Sequence, residues 1–495
     1  MQQNDTEKRP LPTIIQGGMG AGVSNWKLAR AVSKCGCLGV VSGTALNTIL
    51  VRRLQLGDKD GRMRHALAHY PRPDAAKKIL KGYFIPGGKE PWQRYRLAPV
   101  YSPTPSPDLV ELTVAASFVE IFLAKEGHGG LVGLNLLEKI QLPTLASLFG
   151  AMLANVDYVL MGAGIPRTIP GILDQLAVWQ KVELKLDVGG ATEGKVHTTN
   201  FDPTEFFAEP RPSLRRPAFL AIVSSATLAM TLVRKSNGRV DGFVVEGLSA
   251  GGHNAPPRGG MVLNDHGEPV YGPRDAPNLE TIRNLGLPFW LAGSYSTPDK
   301  LREAVAAGAT GVQIGTAFAF CEESGLRDDL KQEVIRKSRL GIIEILTDPR
   351  ASPTGLPFKV VDLAGTVSDA TVHQQRVRGC DLGYLRQAYE KTDGSVGYRC
   401  AAESEDAYVS KGGNAVDTTG RKCLCNGLLA TIGLGQATGA THQEPAIVTA
   451  GEDIAILERF LRPGQNSYRA VDVLCSMMGI SREVFASRLL PQMAL

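Results

Sequence analysis

A chain of 495 residues, 43% hydrophobic and 21% charged, can bury a large core and is long enough for more than one domain. Its net charge of +5 is too dilute to argue for nucleic acid, and no Lys/Arg cluster is interleaved with aromatics. Residues 1–10 are polar, no apolar run approaches bilayer length, and eight cysteines do not make a disulfide scaffold in so long a chain. The expectation is a cytoplasmic protein with neither a membrane nor a nucleic-acid partner.

From Leu11 to about Phe320, short apolar runs alternate with helical stretches, the pattern of an α/β fold with a parallel sheet. Strands are expected at 13–16, 39–43, 131–137, 158–162, 219–224, 243–247, 289–294 and 311–318. Eight of them fit one TIM (β/α)8 barrel over 11–324. Three segments interrupt the rhythm: 52–112, basic and then Pro/Ser-rich; 182–217, with an extra strand-like run at 182–188; and 253–277. Segments of this kind shape a substrate site or lid, or are solvated insertions. Beyond Ser324 the texture changes to helical stretches (328–346, 452–461, 482–490) and turn-rich ones (379–427), so 325–495 is expected to form a mainly helical, turn-rich C-terminal extension.

The most informative stretch is 244–260. A buried strand breaks into a glycine-rich loop where Gly251 and Gly252 let backbone approach a ligand and set His253 beside it. A satisfied structural histidine is the plain alternative. Further on come Pro288-Phe-Trp-Leu-Ala-Gly-Ser294, a helical stretch at 297–307, and Gly311-Val-Gln-Ile-Gly-Thr-Ala-Phe318. Both strands end in glycine plus a small hydroxyl residue, Gly293-Ser294 and Gly315-Thr316. That is the phosphate-binding corner expected after the last two strands of a (β/α)8 barrel.

A second glycine-rich loop, Thr13-Ile-Ile-Gln-Gly-Gly-Met-Gly-Ala-Gly22, follows the first strand. With Gly-Leu-Asn-Leu at 133–136, Glu-Gly-x-x-Ala-Gly-Gly-His at 246–253, Ala-Gly-Ser at 292–294 and Val-Gln-Ile-Gly-Thr at 312–316, it resembles the FMN-dependent nitronate monooxygenase (2-nitropropane dioxygenase-like) family. The flavin-dependent enoyl-ACP reductases share that fold and the Gly-Gly-His loop. The resemblance covers about 11–325, with Thr347-Asp-Pro-Arg-Ala-Ser-Pro-Thr-Gly355 as its ragged end. It implies FMN across the C-terminal mouth of the barrel. Gly18, Met19 and Gly20 would lie along the flavin ring with Asn135 hydrogen-bonding it. Glu246 and Gly251 would lie on the ribityl and phosphate side, and Gly293, Ser294, Gly315 and Thr316 would hold the phosphate. No Gly-x-Gly-x-x-Gly dinucleotide fingerprint follows a strand, so FMN is expected rather than FAD. The segments 52–112 and 182–217 and the C-terminal extension depart from the family, and a strand lysine that touches flavin in some relatives has no match here.

The chemistry that the resemblance implies is oxidation of an alkyl nitronate by FMN, reoxidation by O2, and release of a carbonyl compound and nitrite. His253 would manage protons as the catalytic residue. The rival is an FMN-dependent enoyl reductase that uses NAD(P)H and acts on chains held by an acyl carrier protein. A third reading is a flavin- or metal-binding scaffold without turnover. Four cysteines in the extension, Cys380, Cys400, Cys423 and Cys425, could hold a tetrahedral zinc or an iron–sulfur cluster, although they lack paired Cys-x-x-Cys knuckles. Buried small thiols are the alternative. Cys35, Cys37, Cys321 and Cys475 read as core.

Overall fold

The computed structural model describes residues 11–207, 211–438 and 442–484. Eight strands form one parallel sheet: β1 (Ile14–Gln16), β2 (Gly39–Ser42), β3 (Val132–Leu137), β4 (Tyr158–Gly162), β5 (Ala218–Val223), β6 (Gly242–Glu246), β7 (Phe289–Ala292) and β8 (Gly311–Ile314). Their order is β1-β8-β7-β6-β5-β4-β3-β2. The sheet ends meet where Ile15 bridges Leu38, with the Gln16 N–H donating to the Leu38 carbonyl (2.9 Å) and the Leu38 N–H to the Ile14 carbonyl (3.1 Å). This closes a TIM barrel, as expected. The sequence dictates it through continuous apolar runs, because strands walled by helices outside and side chains inside are buried on both faces.

Side chains alternate along each strand, and the two sets part cleanly. Ile15, Val40, Leu160, Leu220, Val244 and Trp290 form one interior cluster. The Trp290 indole N–H donates to the Pro12 carbonyl (2.6 Å), which fixes this large ring in the barrel interior. Ile14, Val41, Val159, Phe219, Val245 and Val312 face outward into the main core. After β7, Thr297 caps the helix Pro298–Ala306, accepting from the Lys300 N–H, with proline at its first turn.

Two of the expected insertions carry regular elements. The 52–112 segment carries helices Arg62–Ala68 and Pro73–Tyr83 and runs into the long, buried crossover helix Pro107–Lys125. The run at 182–188 is a short strand, Val182–Lys185, paired antiparallel with Thr198–Phe201, after which Val188–Gly189 pairs with Gln387–Glu390 of the extension. In the extension, helix is found at Asp328–Arg339, but Ile345–Asp348 is a strand antiparallel to Phe358–Val361, not the end of a helix. Ile454–Phe460 is a 3-10 helix, and Ala470–Met478 is a helix that periodicity did not mark. The stretch expected at 482–490 lies mostly outside the described residues, as do residues 1–10. Among the described residues no helix is long and apolar enough to cross a membrane.

Candidate active site at the barrel mouth

Two residues beyond the interior apolar layer, the inward positions turn polar. Val244 lies in the floor, so Glu246 faces the mouth, and the register Glu246↔Ala292↔Gln313 carries that level across β6, β7 and β8. Asn135 does the same on β3, beside Ser42 of β2. These side chains line a cavity of about 230 Å³ at the C-terminal ends of the strands. Active sites of this fold sit at that end.

The same cavity gathers Gly18, Met19, Gly20, Asn135, Glu246, Gly251, Gly252, His253, Gly293, Ser294, Gly315 and Thr316, the full set picked from sequence. Close approach explains two of the glycines. A Cβ on Gly18 would stand 2.3 Å from that of Asn135, and one on Gly251 would stand 2.7 Å from the Ala450 carbonyl carbon. Gly293 (φ 97°) and Ser294 (φ 58°) both take the left-handed region, a strained choice for serine that turns the chain sharply after β7.

The extension supplies a wall that the barrel motifs did not announce. Thr449, Ala450, Gly451 and Asp453 reach the cavity, with Leu424, Leu428 and Ile447 alongside. The Gly451 N–H donates to Thr316 Oγ1 (2.9 Å) and the Gly252 N–H to Thr449 Oγ1 (2.9 Å), so this segment is stitched to both glycine loops. Asp453 accepts from Ser296 Oγ (2.9 Å), and burial pushes its carboxyl up.

His253 is held from three sides. Its Nε2 lies 2.7 Å from Ser352 Oγ, its ring meets Phe358 edge-on (4.9 Å between centroids), and its backbone bridges Phe358 antiparallel. Ser352 is fully buried, and its hydroxyl also meets Thr354 Oγ1 at 2.8 Å. Burial pushes His253 down to about 4 and Glu246 up to about 7. Both therefore favour the uncharged form, which suits a cavity into which no Lys or Arg among the described residues projects. Sequence reasoning missed Ser352, Gln313 and the 449–453 segment. The first two had a signal: a hydroxyl inside Ala-Ser-Pro-Thr-Gly, and an amide in the middle of a buried strand.

The chemistry of the wall fits a flavin. Asn135 Oδ1 and Gln313 Oε1 are buried with no hydrogen-bond partner among the described residues, although such groups are normally satisfied. Both face the cavity that the glycine loops frame.

The cysteine expectation is corrected. Cys380, Cys400, Cys423 and Cys425 do converge on one small cavity, but all are free thiols, and no group of three or more His, Cys, Asp or Glu among the described residues could hold a metal ion. Spacing in sequence brought the thiols together without giving them ligand geometry.

The nitronate monooxygenase family model matches residues 164–392. A probable nitronate monooxygenase of Staphylococcus haemolyticus is 26% identical over 188 residues, 37% of this chain and 48% of that protein. A nitronate monooxygenase of Pseudomonas aeruginosa is 28% identical over 153 residues, 30% of this chain and 38% of that protein. The chain thus spans under half the length of these curated relatives. A nitroalkane oxidase structure from Streptomyces ansochromogenes aligns over 97% of this chain and 98% of its own, with a TM-score of 0.45 and 15% identity. The resemblance expected from the motifs is thereby found: residues 164–392 of this chain match the nitronate monooxygenase family model.

Proposed function

We propose that the protein binds FMN across the barrel mouth and oxidises alkyl nitronates, with O2 as the final acceptor and a carbonyl compound and nitrite as products. The observation that carries this reading is the meeting of His253 with the four glycine-bearing segments after β1, β6, β7 and β8 in one cavity that holds orphaned amide oxygens. Asn135 and Gln313 would hydrogen-bond the ring system, and Glu246 and Gly251 would lie on the ribityl side. With no Lys or Arg among the lining residues, the phosphate would be held by backbone N–H groups at Gly293, Ser294, Gly315 and Thr316 and by the two hydroxyls.

Bound FMN would supply the two-electron redox chemistry; the protein binds, orients and manages protons. A histidine held near 4 is neutral at pH 7. Neutral, it can take a proton from a neutral nitroalkane or hydrogen-bond a nitronate that is already an anion. Ser352 would set the orientation and tautomer of the ring through the 2.7 Å contact. Eight free cysteines suit a reducing cytoplasm.

Mass spectrometry of the released cofactor and an assay of nitrite from the nitronate of nitroethane test the reading together. FMN with nitrite release is expected; FAD, or FMN with no nitrite, overturns it. A second reading, enoyl reduction with NAD(P)H, is favoured by a further cavity beside the first, lined by cations that include Arg96, Lys185, Arg386 and Arg421, and NAD(P)H consumption with a crotonyl thioester separates the two.

A further inference from the structure

A second cavity, of about 660 Å³, adjoins the first, and Tyr384 and Leu385 line both. Its walls come from the helix Leu46–Gln55, residues 96–101 of the first insertion, the loop after β3, the 182–217 insertion, residues 353–355 and the 381–421 part of the extension. Tyr384 is a fixed partition, with its hydroxyl donating to Asn47 Oδ1 and lying 2.7 Å from Thr48 Oγ1.

The charge of this cavity is not balanced. Three of its cations have carboxylate partners: Arg52 with Asp381 (3.4 Å), Lys139 with Asp187 (3.2 Å) and Lys195 with Glu390 (3.2 Å). Hydrogen bonds from His197 and Thr192 hold Glu390 down to about 2, so that last pair stays intact across the working pH range. Four more cations line the same space without such partners among the described residues. Arg96 donates to the Gly82 carbonyl and lies over Tyr83; Arg386 donates to the carbonyls of Gly383 and Tyr101 and lies over Tyr398. Arg421 donates to the carbonyls of Asp417, Arg350 and Ser352, and Lys185 is exposed at the end of its strand. Against these four stands one further lining carboxylate, Asp417. Carbonyls and rings orient a guanidinium but leave its charge uncompensated, and planar forks held this way recognise phosphate.

We propose that this second cavity binds the phosphate-bearing tail of an elongated ligand whose reactive end passes Tyr384 and Leu385 into the first. Arg421 ties the two, since it holds the backbone of the same Ser352 that touches His253. The ligand is the substrate itself or a phosphate-bearing nicotinamide donor; the shared chemistry is a polyanion. The proposal rests on the barrel-mouth cavity being the reaction site, but not on nitronate being what reacts there.

The test uses the flavin-loaded full chain and inorganic tripolyphosphate, titrated by calorimetry at low salt. One equivalent is expected to bind, at least about tenfold more weakly to Lys185→Glu, whose side chain sits on the surface and leaves the melting temperature unchanged. Lys77→Glu, an exposed helix lysine outside the cavity, is expected to bind as the parent does. No saturable binding, or equal losses in the two variants, overturns the proposal. Anaerobic mixing with NADPH then separates the sources: bleaching of flavin absorbance that tripolyphosphate inhibits identifies the donor, and its absence identifies the substrate tail. Tripolyphosphate binding without nitrite release would leave this site standing while the nitronate reading falls, and the reverse result would do the opposite.

Discussion

The two adjoining cavities are built from opposite materials. The first is framed by backbone: glycines at strand ends, two buried amides, and two titratable groups whose burial favours their neutral forms. The second is framed by long cationic side chains on the insertions and the extension. Backbone cannot be mutated away, and at Gly18 and Gly251 it tolerates no added atoms, so the first cavity is a fixed seat for chemistry. Side chains on inserted segments can be exchanged without touching the barrel, so the second is where recognition can vary. The comparison predicts that damage to the first should remove cofactor or turnover, and damage to the second only affinity.

The largest effect is expected at the backbone seat. In Gly251→Val the first added carbon would stand 2.7 Å from the Ala450 carbonyl carbon, so the loop and the 449–453 wall must part. Flavin content per chain should fall to roughly a tenth or less, read from the absorbance of released cofactor. Gly259→Ala, which meets nothing within 4 Å, should keep full occupancy. Gly315→Asp makes a sharper probe because its Cβ finds only Met19, at 3.6 Å. Loss of flavin there would come from charge against phosphate and not from crowding; retention would mean that the phosphate lies elsewhere.

Next in size is His253→Ala. Flavin should stay bound, while turnover of neutral nitroalkane falls by roughly 10²–10⁴, the usual worth of a positioned base. The loss on pre-formed nitronate should be smaller, since only a hydrogen bond is missing. Equal wild-type rates on both substrates would make His253 structural. Ser352→Ala should show a milder version of the same split, about tenfold on nitroalkane, because it removes the partner that fixes the ring but leaves the ring in place.

The contrast also explains what was legible in the sequence. The barrel was, because every strand is a continuous apolar run buried on both faces, and all eight were placed to within a few residues of their ends. The first cavity was legible because glycine is a strong signal: Gly18, Gly251 and Gly293 stand where a side chain would collide or the backbone turns left-handed. Gln313 and Ser352 were passed over although a polar residue in a buried setting is itself a signal. The second cavity was not legible. Lys185, Arg386 and Arg421 are ordinary surface letters in sequence, and it takes tertiary contacts such as the pairing of Val188–Gly189 with Gln387–Glu390 to bring their segments together. The cysteines failed in the opposite sense, since proximity alone does not make a ligand set.

The smallest and most discriminating effect concerns Glu246, a cavity acid that burial brings near neutrality. Burial raises it from 4.5 to about 7, so in the folded protein it keeps a proton that the unfolded chain has already lost. Its contribution to stability is therefore full below about pH 4.5 and declines as the pH rises through 7. Glu246→Gln keeps the shape and removes the titration, so its melting temperature should gain on wild type by a few degrees at pH 8 and by little at pH 5. The same ionisation places a carboxylate beside an anionic substrate, so kcat/KM for nitronate should fall as the pH rises past 7 in the wild type and stay flat in Glu246→Gln. His253, already neutral above about 4, should add no inflection between pH 6 and 8. An alkaline fall that survives in Glu246→Gln would move the assignment to Asp453, the other cavity carboxyl that burial raises. A profile flat in both proteins would mean that Glu246 does not face the reacting anion.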